Sequence, residues 1–105
     1  MFKAHIWLKR KEGTSPEEFR DHWLEQHAPI ARDGYEKLRG YTVFLVTGAP
    51  RSQDPLYDGV AELTWDSRDD FAEDMKSDAA RAGTEDLQSF TDGFGLMFVE
   101  RHEVK

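Results

Sequence analysis

Apolar and polar residues alternate along FKAHIWLKR, with Phe2, Ala4, Ile6 and Leu8 on one side and Lys3, His5, Trp7 and Lys9 on the other. That period predicts a β-strand with one fully apolar face and a second face made partly apolar by Trp7. KEGT reads as a turn, and from Ser15 the period lengthens. Ser15 suits an N-cap, Pro16 the first helical position, and Glu18 completes a capping box. Glu17 and Glu18 also favour the positive end of the helix dipole. Phe19, Trp23 and His27 follow at four-residue spacing and share one helix face. Pro29 disfavours helical geometry at Ala28, so a break or kink is expected near His27.

DGYEKLRG reads as a loop, and YTVFLVTG as a second strand bounded by Gly40 and Gly48. APRSQDPLYDG, residues 49–59, is a polar loop with two prolines, a composition that would allow a lid. VAELTW is a third strand, with Val60, Glu62 and Thr64 on one face and Ala61, Leu63 and Trp65 on the other. DSRDDFAEDMKSD starts a capped helix with Phe71 and Met75 facing inward. Gly83 is expected to interrupt the helical region before TEDLQSF, and FGLMFVERHEV closes as a strand. The order β-α-β-β-α-β is that of an α+β, ferredoxin-like fold, an antiparallel sheet with helices on one face. The other sheet face, with Trp7 and parts of the second and fourth strands, needs cover, and a second subunit is the simplest one.

Composition narrows the function classes. A chain of 105 residues makes one domain, spanning 1–105, with a modest core. It has no cysteine, which removes a disulfide framework, a thiolate nucleophile and a zinc–sulfur site, and is compatible with a reducing cytoplasm. The first residues show no long apolar run and no small-residue cleavage site, so neither a signal peptide nor a membrane span is expected. The net charge of −7 repels nucleic acid and anionic lipid. The acids crowd between Asp66 and Asp78 and between Glu85 and Asp92, where they read as solvated helix faces. Seven Phe, three Trp and three Tyr suit an aromatic core or pocket.

LKRKEGTSPEEFRDHWLEQHAPIAR, YDGVAELTWDS, the late SFTD and the final ERHEV resemble the EthD-domain family. The first segment is the specific one, because strand, turn, capping box, Trp23 and the triplet His27-Ala28-Pro29 arrive in register. The resemblance runs from about Leu8 to Val104. It implies a dimeric α+β barrel in which two sheets pack face to face. It also implies an association with ether catabolism beside a cytochrome P450 system, and cofactor-free relatives such as isomerases, polyketide cyclases or dehydratases, and small decarboxylases. In such relatives a histidine ending the first helix is a recurrent acid/base, here His27, and a tyrosine opening the second strand assists, here Tyr41.

The residues themselves set expectations. His27 lies on the Phe19/Trp23 stripe and titrates near neutrality, which suits proton transfer. Tyr41 is either an interfacial aromatic or a hydroxyl donor to a substrate oxygen. Glu62 alternates with apolar neighbours; partial burial would raise its pKa and make it a second acid/base. His5 and Trp7 share a strand face and point into the dimer interface if the opposite face meets the helices. Asp58 reads as a turn residue and as a substrate contact at the third strand. Trp7, Trp23 and Phe44 are expected to shape the pocket. His22 and His102 are expected to face solvent or a subunit interface. His22 and His27, five apart, would point about 140° from each other on an α-helix, so no metal site is expected. Gly93 and Gly95 lack the context of a phosphate loop. The expectation is a cytoplasmic homodimer that needs no cofactor and moves a proton on a small hydrophobic carbonyl compound. The alternative is an accessory module that binds a hydrophobic metabolite for an oxidative system without turning it over.

Overall fold

The computed structural model describes residues 1–105. In chain order it contains β1 (Phe2–Arg10), α1 (Pro16–His22), a π-helical turn (Trp23–His27) and α2 (Ala28–Gly34). There follow β2 (Gly40–Leu45), β3 (Gly59–Trp65), α3 (Arg68–Asp74), α4 (Asp78–Phe90) and β4 (Thr91–Val99). The strands form one sheet in the order β2-β3-β1-β4, with every neighbouring pair antiparallel. This is the ferredoxin-like arrangement. The face that carries Ala4, Leu8, Ala61, Leu63 and Trp65 meets the helices through Phe19, Trp23, Leu87 and Phe90, and these nine residues form the core.

The capping box is formed. The Ser15 side chain accepts the Glu18 N–H, and the Glu18 carboxylate accepts the Ser15 N–H, each at 3.0 Å. The expected break near His27 takes another form. In a regular α-helix the Pro29 ring would strike the carbonyl four residues back, on Glu25. Here the chain widens into a π-turn in which the Ala28 N–H donates to the Trp23 carbonyl, five residues back. Pro29 then falls in the first turn of α2, where no N–H is needed, and the helix resumes to Gly34.

Gly83 does not interrupt α4, which runs unbroken from Asp78 to Phe90. A helix tolerates one glycine at a cost of about 1 kcal/mol, and here the bare position faces α2. A side chain at Gly83 would meet the Tyr35 hydroxyl at 3.5 Å. At Gly34 a Cβ would lie 2.5 Å from the Cβ of Ala79, so the α2–α4 approach requires glycine there. β2 stops at Leu45, before the expected end, and β4 begins at Thr91 and stops at Val99. Phe71 packs inward against Trp65 and Phe2, whereas Met75 is partly exposed.

The opposite sheet face has no helix. His5 stands beside Glu62 and Met97, and Trp7 beside Val60 and Gly95. The Trp7 indole lies flat over β4, where a Cβ on Gly95 would come within 2.4 Å of its Nε1. Phe44 and Met97 are 56% and 48% exposed.

Candidate functional site

A cavity of about 260 Å³ lies between the sheet and the helices, and most of its sixteen lining residues are apolar. Its polar groups are His27, Tyr35, Tyr41 and Thr84. His27 reaches it because the π-turn ends there; its side chain is buried and its ring packs against Phe90. Nδ1 of His27 lies 2.7 Å from Oδ2 of Asp86 on α4. A carboxylate only accepts, so Nδ1 carries the proton. Nε2 makes no hydrogen bond within the protein and is the ring nitrogen available to an occupant of the cavity.

His22 shares the same carboxylate. Its Nε2 is 3.0 Å from both oxygens of Asp86, and its ring packs on Phe90 with centroids 4.4 Å apart. His22 therefore does not simply face solvent. α-Helical spacing would separate His22 and His27 widely, but a turn that closes over five residues brings both rings to one side chain.

Burial in the apolar lining holds His27 below the ordinary histidine value of 6.5, outweighing the hydrogen bond and charge of Asp86; His22 pushes in the same direction as burial. The unfolded chain therefore binds this proton at higher pH than the native protein does. As pH falls from the unfolded value toward the native one, the unfolded state holds more protons and stability drops. The thermal midpoint is expected to fall as pH drops through and below the ordinary histidine value of 6.5, and to fall less in His27→Gln. Equal slopes in both proteins would remove His27 as the source.

Tyr41 opens β2 beside the cavity. Its oxygen accepts the Trp23 indole N–H at 3.1 Å, and Trp23 is fully buried behind it. Burial pushes the hydroxyls of Tyr41 and Tyr35 up, so both remain protonated donors at neutral pH. Trp65, also lining the cavity, donates its indole N–H at 2.8 Å to the buried Asp74 carboxylate, which accepts the Lys37 N–H on both oxygens at 3.1 Å.

Of the residues expected at one site, His27 and Tyr41 line the cavity and Trp23 supports Tyr41 without lining it. Glu62, His5, Trp7 and Phe44 lie on the far side of the sheet, because strand alternation sends them away from the helices. Glu62 accepts from His5 at 2.9 Å and from Lys3 at 3.2 Å, and these bonds hold its carboxyl below the usual range rather than raising it. Asp58 accepts the Arg10 N–H at 2.7 Å beyond the other end of β1 and does not reach the cavity. Loop 49–59 does not line it either; Tyr57 stacks on Trp7, with ring centroids 4.8 Å apart. No cluster of three or more His, Cys, Asp or Glu side chains could hold a metal ion.

Asp86, Asp74 and Tyr35 do not emerge from the sequence reading. Asp86 was nonetheless signalled: Gly83, Asp86, Leu87 and Phe90 follow the i, i+3, i+4, i+7 pattern of a buried stripe. An acid on such a stripe needs a partner.

The EthD domain pattern matches residues 11–93. The chain belongs to the EthD-domain family. An EthD family protein from Bacillus halodurans superposes with a TM-score of 0.80 at 23% identity, covering 97% of this chain and 100% of that one. An EthD-like protein from Ralstonia eutropha gives 0.75 at 18% identity, covering 94% and 89%. A dimeric protein of ferredoxin-like fold from Bacteroides fragilis gives 0.69 at 14% identity, covering 95% of each chain. No curated protein matches the chain significantly in sequence. These EthD-domain relatives share the fold, and at least one of the ferredoxin-like neighbours is dimeric. No helix of this EthD-domain protein is long and apolar enough to cross a membrane.

Proposed function

We propose that the protein is a cofactor-independent enzyme that moves a proton on a small hydrophobic carbonyl compound. That step is common to isomerisation, cyclisation with loss of water, and decarboxylation. One observation carries the reading: His27, tied through Nδ1 to Asp86, lines an apolar cavity together with Tyr41. Nε2 of His27 is the general acid/base and Tyr41 steadies the developing oxyanion. Asp86 acts as a positioning residue, holding the imidazole in the tautomer that leaves Nε2 free. The protein works as a cytoplasmic homodimer, a second copy covering the uncovered sheet face with Trp7, Phe44 and Met97.

Exchange of α-protons tests this without knowledge of the natural substrate. Hydrophobic ketones are incubated in deuterated water with the protein and followed by NMR. The wild type is expected to accelerate exchange, and His27→Ala to remove about 10²-fold or more of it. Full exchange in His27→Ala would end the assignment. Ligand binding with no exchange in either protein would favour an accessory module that holds a metabolite for an oxidative system.

A further inference from the structure

We infer that the cavity selects an uncharged, enolisable ketone over a carboxylic acid or phosphate ester of the same size. This rests on the proton-transfer reading above and narrows it to isomerisation or cyclisation rather than decarboxylation.

The argument starts from groups behind the cavity wall, which fix how each polar lining group can hydrogen-bond. An indole N–H only donates. Trp23 therefore occupies an acceptor site of the Tyr41 oxygen, and the Tyr41 proton is left for the cavity. Asp86 only accepts, so it takes the Nδ1 proton of His27 and leaves Nε2 as an acceptor. The Thr84 hydroxyl spends its proton on the Ala80 carbonyl at 3.2 Å and shows only lone pairs. Tyr35 makes no side-chain hydrogen bond in the protein and supplies a second donor. The cavity thus asks its occupant for an acceptor oxygen toward the tyrosines and a removable proton toward His27.

Charge points the same way. None of the sixteen lining residues is lysine or arginine. Two carboxylates hold the lining rings from behind, Asp86 at His27 and Asp74 at Trp65, and His22 shares Asp86. An anion in this apolar space would lose its hydration and face carboxylates, with no cation to repay it. A volume near 260 Å³ fits one or two fused rings.

A ketone meets each requirement. Nε2 takes the α-proton, the C–H electron pair becomes the carbon–carbon π bond, and the carbonyl π pair moves onto oxygen, where the Tyr41 O–H donates to it. Return of a proton from the imidazolium completes the step with no other reagent.

The test compares three two-ring probes by calorimetry at neutral pH: 2-tetralone, tetralin and 2-naphthoate. The ketone is expected to bind at least about tenfold tighter than the carboxylate. Its advantage over tetralin should shrink in Tyr41→Phe. In ¹⁵N-labelled protein His27 is expected as the Nδ1–H tautomer, and Asp86→Ala should shift it toward Nε2–H. Naphthoate binding as tightly as the ketone, binding of neither, or an Nε2–H tautomer in the wild type would each overturn the inference. Selective ketone binding without α-proton exchange would uphold it and overturn the acid/base reading instead.

Discussion

Asp74→Ala is expected to lower the stability of the folded protein by about 2–5 kcal/mol, a large part of the 5–15 kcal/mol typical of a domain. Asp74 is 3% exposed and satisfies two donors that have no other hydrogen-bond partner: the Trp65 indole N–H and the Lys37 N–H. Alanine leaves both donors unpaired. Each unsatisfied group costs about 1–3 kcal/mol, whereas a hydrogen bond exchanged for water costs less. Asp74→Asn keeps one acceptor oxygen and should lose less. Urea unfolding of the three proteins checks the order, wild type above Asn above Ala. If Ala and Asn were equally destabilised, the carboxylate's bonds would not be the cause. Trp65 lines the cavity and Lys37 lies in the segment after Tyr35, so a folded Asp74→Ala protein should also bind cavity ligands more weakly.

Gly59→Ala is expected to be the most disruptive change of a single methyl group. A Cβ there would sit 2.3 Å from Cζ3 of Trp23 and 3.1 Å from its Cη2. Trp23 is completely buried, so the indole has little space to retreat. Overpacking of this kind costs about 1–3 kcal/mol and at times more. It would also tilt the indole away from Tyr41, freeing the tyrosine oxygen and blurring the donor sense of its hydroxyl. Gly40→Ala is the control. Its Cβ would meet Thr64 at 3.7 Å, an ordinary contact, and a change within about 0.5 kcal/mol is expected. Unfolding curves and probe binding on both variants separate the effects. Gly59→Ala with unchanged stability and unchanged ketone affinity would show that Trp23 does not hold Tyr41.

Much of the fold can be read in advance because its signals are local. The alternation in β1 and β3 comes from the two-residue period of a strand, and the Ser15–Glu18 box from hydrogen bonds spanning three residues. His27 is legible as a polar ring on an apolar stripe. Gly83 shows where local reasoning fails. Its propensity argues for a break, yet packing of α4 against α2 overrides that weak preference. Pro29 likewise signals a disturbance correctly, but a π-turn absorbs it and the helix continues.

The sequence by itself determined the four strands, which residues share each strand face, the capped start of the first helix and the histidine near its end. All follow from periods and caps within a few residues. Only the tertiary structure decided which face the helices cover. That choice sends Glu62, His5, Trp7 and Phe44 away from the cavity and leaves His27 and Tyr41 within it. It alone joined His27 to Asp86, 59 positions away, and brought His22 to the same carboxylate. A buried acid chooses its partner by proximity in space, and that proximity exists only once α4 has docked against the π-turn.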